Sequence, residues 1–158
     1  MISVKRRFIF FIALIASFIF FKTKASDSDS IKTLLSMAKV DSTKVNLMNA
    51  LSKSYFSGNP DTAIKIGTVS KNLAEQIKFK PGQALALKNI GIANYLQGKY
   101  IDAINAWREA EAVYKSIGDK KGVANMLSNQ GAVYFNQGDD AKSLEIDRKS
   151  TRLNSSHG

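Results

Sequence analysis

Three asparagines, Asn49, Asn89 and Asn129, stand forty residues apart. A side-chain amide carries both a donor and an acceptor, so a ladder of amides on one helical face can hold the backbone of an extended peptide without reading its sequence. The competing role for the same groups is internal, each amide bonding to a neighbouring helix. Other candidate groups point less directly to chemistry. Ser36-Met37-Ala38-Lys39 has the form of a Ser/Lys nucleophile pair, but no partner motif follows it. Glu109 and Glu111 are two apart, so on a helix they do not face each other. Asp139 and Asp140 suit a helix cap better than a metal site. The single histidine is His157, and there is no cysteine, which excludes disulfides, thiolate metal sites and a lipid-modified cysteine. No glycine-rich phosphate loop follows a strand. The residues present lead us to expect no enzyme, no cofactor and no metal.

The asparagines belong to a wider pattern. At the same step Leu47, Leu87 and Leu127 align, as do Gly58, Gly98 and Gly138. Tyr55 and Tyr95 meet Phe135, Ala63 and Ala103 meet Ser143, and Ile64 and Ile104 meet Leu144. Six columns in three copies mark a stacked repeat array, and such arrays work by offering a surface. Each repeat reads as two helices. Pro81 is tolerated in the first turn of one, and Ala84, Leu87, Ile90, Gly91 and Tyr95 follow at helical spacing. Gly98, suited to a left-handed cap, ends it. The partner helix starts near Tyr100, with Ala103, Ile104, Trp107, Ala110, Val113, Tyr114 and Ile117 as its apolar stripe. Asn59 and Pro60 open the equivalent helix of the first repeat, and Asp41-Ser42-Thr43 offers cap oxygens before it. Ile31, Leu34, Leu35 and Ala38 mark a short amphipathic helix ending near Val40. The fold expected is all-α, an α-α superhelix of helix-turn-helix units, because no strand-like alternation competes.

The second copy reads NIGIANYLQGKYIDAINAWREA and the third NQGAVYFNQGDDAKSLEI. These resemble tetratricopeptide repeats. Leu87, Ile90, Gly91, Gly98, Tyr100, Ala103, Trp107 and Ala110 fill the family pattern in the second copy. Gly131, Tyr134 and Gly138 do so in the third, with Ser143 replacing the alanine. The first copy departs from it: Leu51 stands at the helix-glycine position and Gly67 opposite Trp107. Small residues at Gly91, Gly131, Ala63 and Ala103 suit a close helix crossing. The resemblance implies a concave groove binding protein or peptide, or mediating self-association. Along it would lie the three asparagines with Lys88, Ile92, Tyr95, Ser128 and Phe135, and also Met48, Ser52, Tyr55 and Ala132. The carboxylate clamp of chaperone-binding members is not matched, since Ile92 stands where a clamp asparagine is expected. The long period is most similar to sensor proteins common in Bacteroidetes-like bacteria.

The two ends of the chain read differently. Residues 1–25 look like a signal peptide or an uncleaved anchor: Lys5, Arg6 and Arg7 precede the uncharged run Phe8–Phe21, and Thr23-Lys24-Ala25 offers a cleavage site. Residues 26–41 are then a linker and a short helix, with repeats over 42–81, 82–121 and 122–146. Asp147–His157 reads DRKSTRLNSSH, which resembles the translation of a common sequencing-adapter oligonucleotide. Residues 147–158 are therefore read as an artefact, and the third repeat as truncated after Ile146. Of the net charge of +10, five units fall in 1–25 and two in 147–157, leaving +3 spread over many helix faces. No basic stripe is left to suggest nucleic acid. The expectation is an exported, periplasmic or membrane-attached region, touching a membrane only through the N-terminal segment or a missing C-terminal span. It would be the sensory or interaction part of a longer bacterial signalling protein. The alternatives are a free-standing secreted adaptor, or the front of a histidine kinase or nucleotide cyclase.

Overall fold

A computed structural model describes residues 28–155, apart from the side chain of Asn154. The segment read as a signal or anchor lies outside the described residues. A first helix, α1, covers 28–37. It is followed by α2 (Ser42–Ser54), α3 (Pro60–Gln76), α4 (Lys80–Leu96), α5 (Tyr100–Ser116), α6 (Lys120–Asn136) and α7 (Asp140–Ser155). There is no strand among the described residues. From α2 onward each helix packs on the next in a row, and α2 also meets α4. No helix among the described residues is long and apolar enough to cross a membrane.

Helix starts are set by short polar side chains. Asp41 accepts from the backbone N–H groups of Thr43 and Lys44 at 2.8 and 3.3 Å. Asn59 accepts from Thr62 N at 3.0 Å, with Pro60 as the first residue of α3. Asp119 and Asp139 cap α6 and α7 through Gly122 N and Lys142 N. These bonds satisfy donors that a helix cannot satisfy internally.

The turns divide into two kinds. Gly98, Gly118 and Gly138 take φ values of +73°, +72° and +77°, the left-handed cap that costs glycine nothing. Between α3 and α4 Lys78 takes this role at φ 57°, at a cost of about 1–2 kcal/mol for a residue with a Cβ. Gly58 does not share the positive φ of Gly98 and Gly138, although it aligns with them.

The core forms where α4, α5 and α6 meet. Leu87, Ala103, Ile104, Trp107, Ala110, Met126 and Val133 are buried together, with Ile92, Tyr95, Tyr100, Val113, Tyr114 and Tyr134 packed around them. Trp107 is 2% exposed and its Nε1 donates to Lys88 O at 3.2 Å. It lies across Gly91: a Cβ there would overlap its Nε1 and Cδ1 and stand 2.8 Å from Cε2. Helix α4 therefore requires the smallest residue where the largest one of α5 crosses it. The Tyr114 ring lies over Gly122 in the same way, where a Cβ would stand 2.5 Å from Cγ.

Helix α7 runs through Ile146 to Ser155. Residues 147–155 contain no glycine or proline, and Lys149 pairs with Glu145 one turn back. Ser150 reaches a buried position, where its hydroxyl donates to Ala124 O at 3.0 Å.

Candidate functional site

Two of the three aligned amides are used inside the protein. Asn49 is 1% exposed. Its Nδ2 donates to Gly82 O at 3.0 Å, and its Oδ1 accepts from Ser70 Oγ at 2.8 Å. Asn89, 4% exposed, donates to Asn49 O at 2.9 Å. The amides thus link α2, α3 and α4, and neither is offered to a ligand. Gly82 permits the close approach: a Cβ there would lie 2.5 Å from Val45 Cγ1 and 2.6 Å from Phe79 Cε1. Asn129, on α6, is partly exposed.

Met48 and Ser52, expected along a groove, are buried as well. Ser52 Oγ donates to Ala63 O at 2.8 Å, because this side of α2 faces α3. Tyr55 sits beside α1. Hydrogen bonds first from Ser28 and then from Lys32 hold its phenol below the ordinary tyrosine value.

The remaining candidates share an outward surface on α4 and α6. On α4, Leu85, Lys88, Ile92 and Tyr95 are half-buried and Leu96 is 53% exposed. The equivalent residues of α6, Asn125, Ser128, Ala132 and Phe135, are all exposed, Phe135 to 66%. Their spacing of three or four residues keeps each row on one helical side. The Tyr95 ring lies 5.7 Å from Tyr100 and 6.0 Å from Trp107, centroid to centroid, so its body is anchored in the core. Its hydroxyl accepts from Asn136 Nδ2, which links the ends of α4 and α6. Ser128 shares a 2.9 Å hydrogen bond with Ser150 and marks the edge of the surface nearest α7.

The charge that the sequence spreads over many helix faces divides between two layers, α2, α4 and α6 against α3, α5 and α7. Every charged residue within α2, α4 and α6 is a lysine: Lys44, Lys53, Lys80, Lys88, Lys120 and Lys121. The carboxylates adjoining these helices, Asp41 and Asp119, are occupied as caps. The acids within helices α2–α7 all lie on α3, α5 and α7. There Lys71 pairs with Glu75 and Glu109, and Lys115 with Glu111.

A cleft of about 460 Å³ opens elsewhere, between α5, α6 and α7, lined by Glu111, Lys115, Val123, Leu127, Lys149, Arg152 and Leu153. Three of these residues belong to the segment that resembles adapter translation, so the α4/α6 surface is the better candidate. No group of acidic or histidine side chains able to hold a metal occurs among the described residues. No protein-family model matches the chain, and no curated protein matches it.

Sequence reasoning missed Ser70, Gly82 and Leu96. Ser70 had a signal, since it stands forty residues before Ala110 in a column of small residues. Gly82 had one too, since Gly122 stands forty residues after it, but which helix it lets approach depends on how closely α2 lies to α4.

Proposed function

We propose that the chain is an α-solenoid of tetratricopeptide type whose α4/α6 surface binds a protein or peptide. The observation that carries this reading is the outward pair of rows, Lys88, Ile92 and Tyr95 beside Ser128, Ala132 and Phe135. Ile92 and Tyr95 there are packed against the core, and Phe135 is left open. Recognition falls to these rows, since the Asn49 and Asn89 amides are engaged internally. In this reading the chain is the exported interaction region of a longer bacterial signalling protein, and the resemblance of its repeats supports that placement.

The test is selection of peptides from a random display library on the full chain, followed by rebinding to variants. Ala132→Trp fills the surface from an exposed position and should abolish binding. Lys65→Glu, on the exposed side of α3, should leave it intact. Selected peptides that bind Ala132→Trp as well as they bind the unaltered chain would contradict the proposal.

A further inference from the structure

We infer that the segment bound by the α4/α6 surface is acidic, with apolar or aromatic residues among its carboxylates. This rests on the peptide-binding reading above and adds its ligand chemistry. The six lysines of α2, α4 and α6 face no acid on their own helices, and none of them forms an ion pair among the described residues. On α3 and α5, which carry acids as well, Lys71 and Lys115 are paired while Lys65 forms no ion pair among the described residues. The charges are thus sorted: acids and bases are mixed on α3, α5 and α7, whereas α2, α4 and α6 carry lysine alone. Sorting them leaves one layer with uncompensated positive potential, which favours an anionic partner.

The position of the charges adds a second argument. Lys88 lies within the α4 row, between Leu85 and Ile92. Lys121 lies one turn before Asn125 and two before Ser128 on the matching side of α6, and it is exposed. At the other end of the two rows stand Leu96 and Phe135, 53% and 66% exposed. A ligand lying along both helices meets the two ammonium groups before it reaches the most exposed apolar side chains. A single strand of nucleic acid could satisfy the first and stack a base on Phe135, but the aliphatic Leu85, Ile92 and Leu96 offer its other bases no aromatic platform. A peptide with acidic residues followed by Phe or Leu satisfies both.

The experiment uses the full chain and two fluorescent peptides of equal length, one of Glu, Asp, Phe and Leu and one with Lys replacing every acid. A single-stranded oligothymidine is the third probe. Fluorescence anisotropy at low and high ionic strength should show binding of the acidic peptide, weakened by salt, and none of the basic one. Lys88→Glu with Lys121→Glu should weaken the acidic peptide about tenfold or more, and the two Lys→Gln changes by less. Lys65→Glu should have no effect. Circular dichroism confirms that each variant keeps its helices. Equal binding of both peptides, lost in Ala132→Trp, would leave the groove standing and overturn the charge assignment. Tighter binding of oligothymidine than of the acidic peptide, also lost on charge reversal, would overturn it too. Absence of acidic-peptide binding, while library-selected peptides still bind and are lost in Ala132→Trp, would overturn the charge assignment alone.

Discussion

Gly91 and Gly131 occupy the same position in successive repeats, yet the structure assigns opposite signs to their replacement by alanine. At Gly91 the new methyl overlaps the Trp107 indole, which is 2% exposed and held by its bond to Lys88 O. The ring cannot retreat without disturbing that bond and the packing around it. Overpacking of this kind costs about 1–3 kcal/mol, and a weakened hydrogen bond adds about 1 kcal/mol. Alanine recovers about 1 kcal/mol of helix propensity. The net loss is therefore about 1–3 kcal/mol, and ~2 kcal/mol lowers Tm by about 6–10 °C in a domain of this size. At Gly131 the added Cβ would stand 3.1 Å from Asp147 Oδ1 and 3.5 Å from Ile146 Cγ2. Asp147 is exposed and free to swing aside, so the propensity gain prevails and Tm rises by a few degrees. Thermal unfolding followed by circular dichroism measures both variants. Removing the obstacle in Trp107→Leu should make Gly91→Ala stabilising in that background, a coupling that a double-mutant cycle isolates. A Gly91→Ala protein as stable as the unaltered chain would refute the packing argument.

Two further outcomes follow from the buried groups. Asn49→Ala removes the partner of Gly82 O and of Ser70 Oγ, so it should cost about 1–3 kcal/mol, read as a lower urea midpoint. An unchanged midpoint would mean that the amide is hydrated and not internal. Tyr114 is held above the ordinary tyrosine value, mainly by burial and secondarily by the charge of Asp119. Its neutral form is the one the fold accommodates, so its contribution is intact below the unfolded value of about 10 and is lost as pH rises through the folded value. The stability difference between the unaltered chain and Tyr114→Phe should stay constant at lower pH and then shift against tyrosine above about pH 10. Urea midpoints measured across that range check it, and a constant difference throughout would contradict the assignment.

Much of the architecture was legible because local chemistry and the repeat agree. Asn59 with Pro60 marks the start of α3, Gly98 marks the end of α4, and the Gly91–Trp107 pairing matches small to large across one crossing. What the sequence left undecided depends on distances between helices. Whether Asn49 meets solvent or Gly82 O turns on how closely α2 approaches α4, and no spacing of residues in one chain reports that. Packing of α2 against its neighbours likewise buries Met48 and Ser52, while their register equivalents Lys88 and Ile92 remain partly open. Alignment also concealed a difference in the turns, since Gly58 matches Gly98 in sequence but not in backbone angle. The separation of charge by layer was present in the residue order, yet it emerges only when alternate helices are seen to form one layer.

The central claim is that ligands are held on the outward rows of α4 and α6. Backbone chemical-shift mapping of the isotope-labelled chain, titrated with the acidic peptide, tests it most directly. The account predicts shifts concentrated at Lys88, Ile92, Tyr95, Ala132 and Phe135, with the exposed sides of α3 and α5 unmoved. Shifts centred instead on the cleft around Glu111, Leu127 and Arg152, or on α3, would contradict it.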